Sequence, residues 1–318
     1  MEQSAPEVLP SVAERDLISR LRQLRGRNEM SREQVAKALD WSVSKLLRIE
    51  NGNIGISTSD LLALARVYSL GDDYTDELVE LARTSRRPGV VAGFSDVLTK
   101  EFSSWIEFEL AAAEIHHYEP KLIPGPLQVN GYATSILTAY NPGRSQSVIK
   151  KKVEARRIRA QYLFGVGGPR LWYMIDEAAL HRGVGNELSN TQDYSVMRRV
   201  FKNIRLLNTM GRVANGEEIE ADLNPNVSVQ IMPFGLGAYG ALSGPFEVLE
   251  FKDPRDNYMM YQETPVGDFV SDEQHKITSY LESFEEMQSA APPVTKTNEL
   301  IDQVEALMVN GQNGLPLS

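Results

Sequence analysis

Apolar positions along the chain fall first at helical spacing and later at strand spacing. Leu17, Ile18, Leu21 and Leu24 make one stripe and predict a helix over residues 14–28. Ser31, with Gln34 three residues on, reads as an N-cap and capping box, after which Val35, Ala36 and Leu39 turn one apolar face inward. Asp40-Trp41 breaks that pattern. Ser42 caps a second short helix, with Leu46 and Ile49 one turn apart and Asn51-Gly52 closing it. Two short helices joined by a tight turn read as a helix-turn-helix, although spacing alone also fits any small helical hairpin. Ser57 or Ser59 then caps a helix through Leu61, Leu62, Leu64, Ala65, Val67 and Tyr68, stopped by Gly71, and residues 74–84 form a further short one.

Thr84–Gly93 changes composition and carries Pro and Gly, which places a linker at residues 85–93. Beyond it the spacing predicts helices over Glu101–His117 (Trp105, Phe108, Ala112, Ile115), about 128–140, about 147–164 and about 189–210. Four strands are predicted. Arg170–Asp176 is a nearly continuous apolar run, and Val227–Met232 alternates Val227, Val229 and Ile231 against Ser228, Gln230 and Met232. Phe246–Phe251 and Tyr258–Tyr261 flank the turn signal Asp253–Asn257. Ser271–Met287 is helical, and a last amphipathic helix, Thr297–Val309, follows Pro292-Pro293. The expected architecture is an all-α helix-turn-helix domain at 14–84 and a larger α+β domain at 94–318 with a small sheet of about four strands. Residues 1–13, mixed and holding two prolines, are expected to be disordered.

Composition narrows the class. The chain has 318 residues, enough for two domains, with 42% hydrophobic and 24% charged positions. No apolar run reaches the roughly 18–20 residues of a membrane span, and the N-terminus lacks a signal-peptide pattern. The absence of cysteine removes disulfides and Cys-based zinc sites, so a cytoplasmic location is the simplest expectation. The net charge of −10 argues against general coating of nucleic acid. Residues 14–50, however, hold nine Lys/Arg against six Asp/Glu, a basic module on an acidic body, which fits a DNA reader confined to one face.

The segment Ser31–Gly52, with its Arg-Ile-Glu-Asn-Gly ending, resembles the lambda-repressor/XRE class of helix-turn-helix over roughly residues 14–84. That resemblance implies a recognition helix beginning at Val43. It places Val43, Ser44 and Arg48 on base edges, Arg32, Ser42 and Asn51 on phosphates, and Arg25 with Glu50 in an ion pair tying the first helix to the end of the recognition helix. Three departures bear on sequence preference: Val43 replaces a polar residue, Leu47 sits on an outward position, and Asn53–Ser57 lacks basic phosphate contacts. In the second domain, Glu109–Ala133 with Ile123-Pro-Gly-Pro-Leu-Gln128, Glu177-Ala-Ala-Leu180, Val229–Phe234 and Gly244–Phe251 resemble large actinobacterial XRE-type regulators of the WhiJ kind. Residues 212–226 look like an insertion in that pattern. Such regulators are often encoded beside a small companion protein in an antitoxin-like arrangement, so the resemblance implies a companion partner.

Other candidate chemistry is sparse. Glu114-Ile-His116-His117 with Glu119 looks catalytic, but adjacent histidines point to different sides of a helix and read as capping or exposed groups. Asp176-Glu177, at a strand end, is a carboxylate pair without a third ligand at a telling spacing. The glycine-rich stretch Phe234–Pro245 joins two strands, so it reads as a plain connection or as a loop closing over a small ligand with Tyr239 stacking on it. The Lys150–Arg159 run reads as a solvated helix face or as a second DNA or partner surface. No nucleophile elbow, zincin motif or P-loop occurs, and neither metal nor cofactor is expected.

The expected function is therefore a non-enzymatic, dimeric transcription regulator that binds a double-stranded DNA operator. Its second domain would supply dimerisation and sense a ligand or companion protein. An antitoxin-like protein whose main role is binding the companion, and an enzyme with an appended DNA-binding domain, are the alternatives. The terminal helix (Leu300, Ile301, Val304, Leu307, Met308) has two destinations open to it: another chain, or its own core.

Overall fold

The computed structural model describes residues 8–185, 194–210, 224–252, 258–264 and 267–309. The start of the helix expected near 189, most of the expected insertion, the turn at 253–257 and residues 1–7 lie outside them. Two compact units divide between Ala92 and Gly93.

The first unit holds α1 (Pro10–Arg27), α2 (Arg32–Ala38), α3 (Val43–Glu50), α4 (Thr58–Val67) and α5 (Asp72–Thr84). The first helix starts at Pro10 rather than Glu14. Proline suits the first helical turn, where no intrahelical N–H partner is needed, and Leu9, Pro10 and Ala13 are buried. Ser31 and Gln34 form the reciprocal capping box, with Ser31 N donating to Gln34 Oε1 at 2.7 Å. Of the two candidate caps before α4 it is Ser57 that accepts from Asp60 N, at 3.0 Å. Leu17, Leu21, Val35, Leu46, Ile49, Leu61, Leu64 and Leu78 meet in one core. Gly52 must be glycine for two reasons: its φ is +70°, and a Cβ there would lie 3.0 Å from Ile18 Cδ1.

The second unit is a mixed sheet between layers of helices. It contains α6 (Lys100–Ala111), β1 (Glu114–Glu119), α7 (Asn130–Tyr140), α8 (Gln146–Phe164), β2 (Arg170–Asp176), α9 (Glu177–His181), α10 (Ser195–Met210) and β3 (Val227–Met232). Then come β4 (Phe246–Glu250), β5 (Tyr258–Thr264), β6 (Gly267–Ser271), α11 (Gln274–Ala290) and α12 (Val294–Val309). The sheet has six strands in the order β3-β2-β1-β4-β5-β6; β3, β2 and β1 are parallel and the rest antiparallel.

The expectation of about four strands is corrected in two places. Residues 114–119, with 114–117 expected as the end of a helix, are β1. Thr99 caps α6 and the helix ends at Ala111, where Ala112 turns extended, with ψ 149°. Ile115 follows Ala112 at helical spacing by coincidence, and Ala112-Ala113 carries no stop signal. The second addition, β6, is a five-residue edge strand bearing Gly267 and Asp268, residues with weak strand preference.

Strand alternation sends side chains to two cores. Ile115, Leu171, Ile175, Val229, Ile231 and Leu249 face α6, α7, α8, α10 and α12. Tyr118, Met174, Met232, Phe246, Val248 and Met260 face α11. Of the two destinations open to it, α12 takes its own domain: Ile301, Val304 and Met308 are buried against β3 and α10. Thr297 Oγ1 donates to Val229 O at 2.8 Å, and Arg205 pairs with Asp302 and Glu305 at 2.5 Å each. Among the described residues no helix is long and apolar enough to cross a membrane.

Candidate nucleic-acid interface

Ser42 opens α3 by accepting from Lys45 N at 3.1 Å. Leu46 and Ile49 then pin one side of the helix to the core, leaving Val43, Ser44, Leu47 and Arg48 exposed on the other. These four form two i, i+4 pairs and hence one outward stripe about a turn and a half long. Val43 and Leu47 are each 38% exposed, too open for core positions. Among the described residues Arg48 has no side-chain partner, so its guanidinium fork is available to a base edge.

The helix is held by a charge cluster at its far end. Glu50 is 1% exposed and accepts from Arg25 Nε at 2.6 Å and Arg25 Nη2 at 3.2 Å. Arg32, assigned by resemblance to phosphate, also donates to Glu50, from Nε at 2.6 Å. Burial by itself would raise the Glu50 carboxyl, but the two guanidinium hydrogen bonds outweigh it and hold the group below its usual range. Arg32 keeps 37% of its side chain exposed, so its outer nitrogens still face solvent. Asn51 accepts from Arg22 Nη2 at 3.3 Å, which brings one more basic group beside the end of α3. The pairing of Arg32 and the placing of Arg22 were not legible from spacing, because both depend on how α1 and α2 cross α3. At the other end, Lys45 sits 3.9 Å from the Trp41 ring centroid and 2.9 Å from Asp60.

In the second unit the catalytic-looking groups are engaged with the fold. His116 and His117 lie on a strand, not at a helix end, and do point to opposite faces: His116 meets Phe284, while His117 meets Tyr173 and Glu247. Asp176 caps α9 through Ala178 N at 2.8 Å and accepts from the Tyr239 hydroxyl. Tyr118 and Tyr239 share a hydrogen bond of 2.9 Å, and Glu177 accepts from Phe234 N at 2.8 Å. Tyr239 is thus a latch that fastens the glycine-rich loop to the carboxyl ends of β1 and β2. Burial, then the Asp176 hydrogen bond, push its hydroxyl pKa up. The Lys150–Arg159 run is not a uniformly solvated face, since Arg159 is buried and bidentate with Glu109 at 2.5 and 2.6 Å.

A helix-turn-helix domain model matches residues 16–78, the helices just described. The model of a domain of unknown function (DUF5753) matches residues 102–209 and 219–303. No curated protein and no solved structure matches the chain. A helix-turn-helix with its outward stripe intact, joined to a second unit matched over most of its length, identifies the whole: the chain belongs to the DUF5753 family and carries an N-terminal helix-turn-helix domain.

Proposed function

We propose that the protein is a sequence-specific transcription regulator of the XRE, WhiJ-like type, that it acts as a dimer, and that its α+β domain senses a ligand or companion protein. The observation that carries the reading is the exposed stripe of α3, where two apolar side chains and an unpaired arginine stand outward on a helix fixed by its buried face. Such a helix fits the major groove, with Arg48 bidentate on a guanine and Val43 on a thymine methyl. Phosphate contacts by Arg32, Ser42 and Asn51 set register. One module contacts too few bases for regulatory affinity, which supports two copies on half-sites about one helical turn apart. In this reading the protein is a regulator and not an enzyme, which the use of Asp176 and Glu177 to fasten a loop supports. Footprinting on the protein's own promoter tests the proposal. Discrete protection in two patches is expected, and uniform binding to all DNA would overturn it.

A further inference from the structure

The α8 face of the sheet carries two cations that the fold does not neutralise. Arg156 and Lys152, one helical turn apart on α8, are half-buried, yet among the described residues neither has a carboxylate within ion-pair distance. Their partners are neutral amides: Arg156 Nη1 donates to Gln128 Oε1 at 2.7 Å, and Lys152 Nζ to Asn141 Oδ1 at 3.3 Å. Gln128 is itself fixed, donating to Ile123 O at 2.8 Å. That bond orients the Arg156 guanidinium, and among the described residues its Nε–Nη2 edge has no partner. Arg159, by contrast, is paired with Glu109 and Glu247. Holding an uncompensated guanidinium in a partly dry setting is costly, and burial accordingly lowers the pKa of both Arg156 and Lys152.

Two carboxylates and a phenol complete the surroundings. Glu119 ends β1, Glu263 lies near the end of β5, and Tyr140 ends α7. All interact electrostatically with one another, and Glu263 also acts on both Arg156 and Lys152, without closing an ion pair. β1 and β5 are both antiparallel to β4 and so run the same way, which brings Glu119 and Glu263, at or near their carboxyl ends, to the same end of the sheet.

We infer that Arg156, Lys152, Glu119, Glu263 and Tyr140 form a binding site for a small zwitterion of the α-amino acid class. Its carboxylate takes the free edge of Arg156 and the Lys152 ammonium, and its own ammonium turns to Glu119 and Glu263. A dianion such as phosphate is disfavoured by the two nearby carboxylates, and an uncharged ligand would leave both cations unmatched. The inference deepens the sensing role proposed above and rests on it only for its consequence at the operator.

Calorimetry on the full chain, free of DNA, tests the site with each of the twenty α-amino acids and with propionate, methylamine and inorganic phosphate. At least one amino acid should bind saturably, and propionate and methylamine at least about tenfold more weakly. R156M should weaken that amino acid about tenfold or more with unchanged unliganded melting. If R156M fails to fold, K152M on the same face should weaken binding in the same direction. E263Q should narrow the preference over propionate. No binding by any amino acid, equal binding by the variants, or tighter binding of phosphate would overturn the site. Saturable binding that leaves operator affinity unchanged would uphold the site and overturn its sensing role.

Discussion

Glu50 is the residue on which the recognition helix depends. A carboxylate almost fully out of water is tolerated here because two arginines reach it from α1 and α2. Its removal leaves Arg25 and Arg32 facing each other without a counter-charge, though both can rehydrate in part. E50A should therefore cost roughly 3 kcal/mol, the low end for breaking a buried pair. Residues 17–82 supply a complete core of their own, so melting of a 1–92 fragment measures this, and an unaltered melting temperature would refute the role. The sign of the pH dependence follows. The folded pKa of Glu50 lies below its ordinary 4.5, so its contribution is present above that pH and is lost as pH falls through the depressed value. E50Q should flatten that acid limb. Arg32 is bound to Glu50 and, in the proposed reading, also meets phosphate, so R32A should lower the salt slope of DNA binding by about one and also reduce melting, whereas a pure phosphate contact would leave melting unchanged.

At the scale of elements, α12 and β1 show what periodicity leaves open. The amphipathic stripe of α12 is plain in the sequence, but a stripe does not say which surface it covers. In the structure it shields β3, the outer parallel strand, and buries Ile301, Val304 and Met308. Deleting residues 294–318 should thus remove about 5 kcal/mol or more from the α+β domain, seen as loss of its melting transition or as insolubility. An intact, folded truncation would contradict that packing. The helix-turn-helix was legible because caps, apolar spacing and terminal glycine agree locally. The strand β1 was not, because its identity rests on pairing with β2 and β4 across long sequence separations. The same pairing places His117 beneath α8, where burial lowers its pKa to about 4 from 6.5. A folded pKa depressed in this way gives stability present above 6.5 and lost as pH falls toward 4, up to about 3 kcal/mol. H117Q should remove that slope between those pH values in thermal melts, and an unchanged slope would assign it to other groups.

For the molecule as a whole, the helix-turn-helix and the α+β unit each have a complete core, so the first can read DNA while the second carries a separate chemistry. The acidic balance of the chain sharpens this division. In the proposed reading attraction to phosphate is confined to the basic module, and non-specific binding should weaken steeply with salt. In the proposed reading Arg48 carries the sequence readout, with a guanine pair worth about 1–3 kcal/mol of discrimination. The measurement that tests this account most directly is selection from randomised DNA by the full-length protein and by R48A at matched salt. The account predicts one motif for the native chain, in two half-sites about one helical turn apart, and relaxed preference at one position per half-site for R48A. No enriched motif, or the same motif with the same stringency from both proteins, would contradict it.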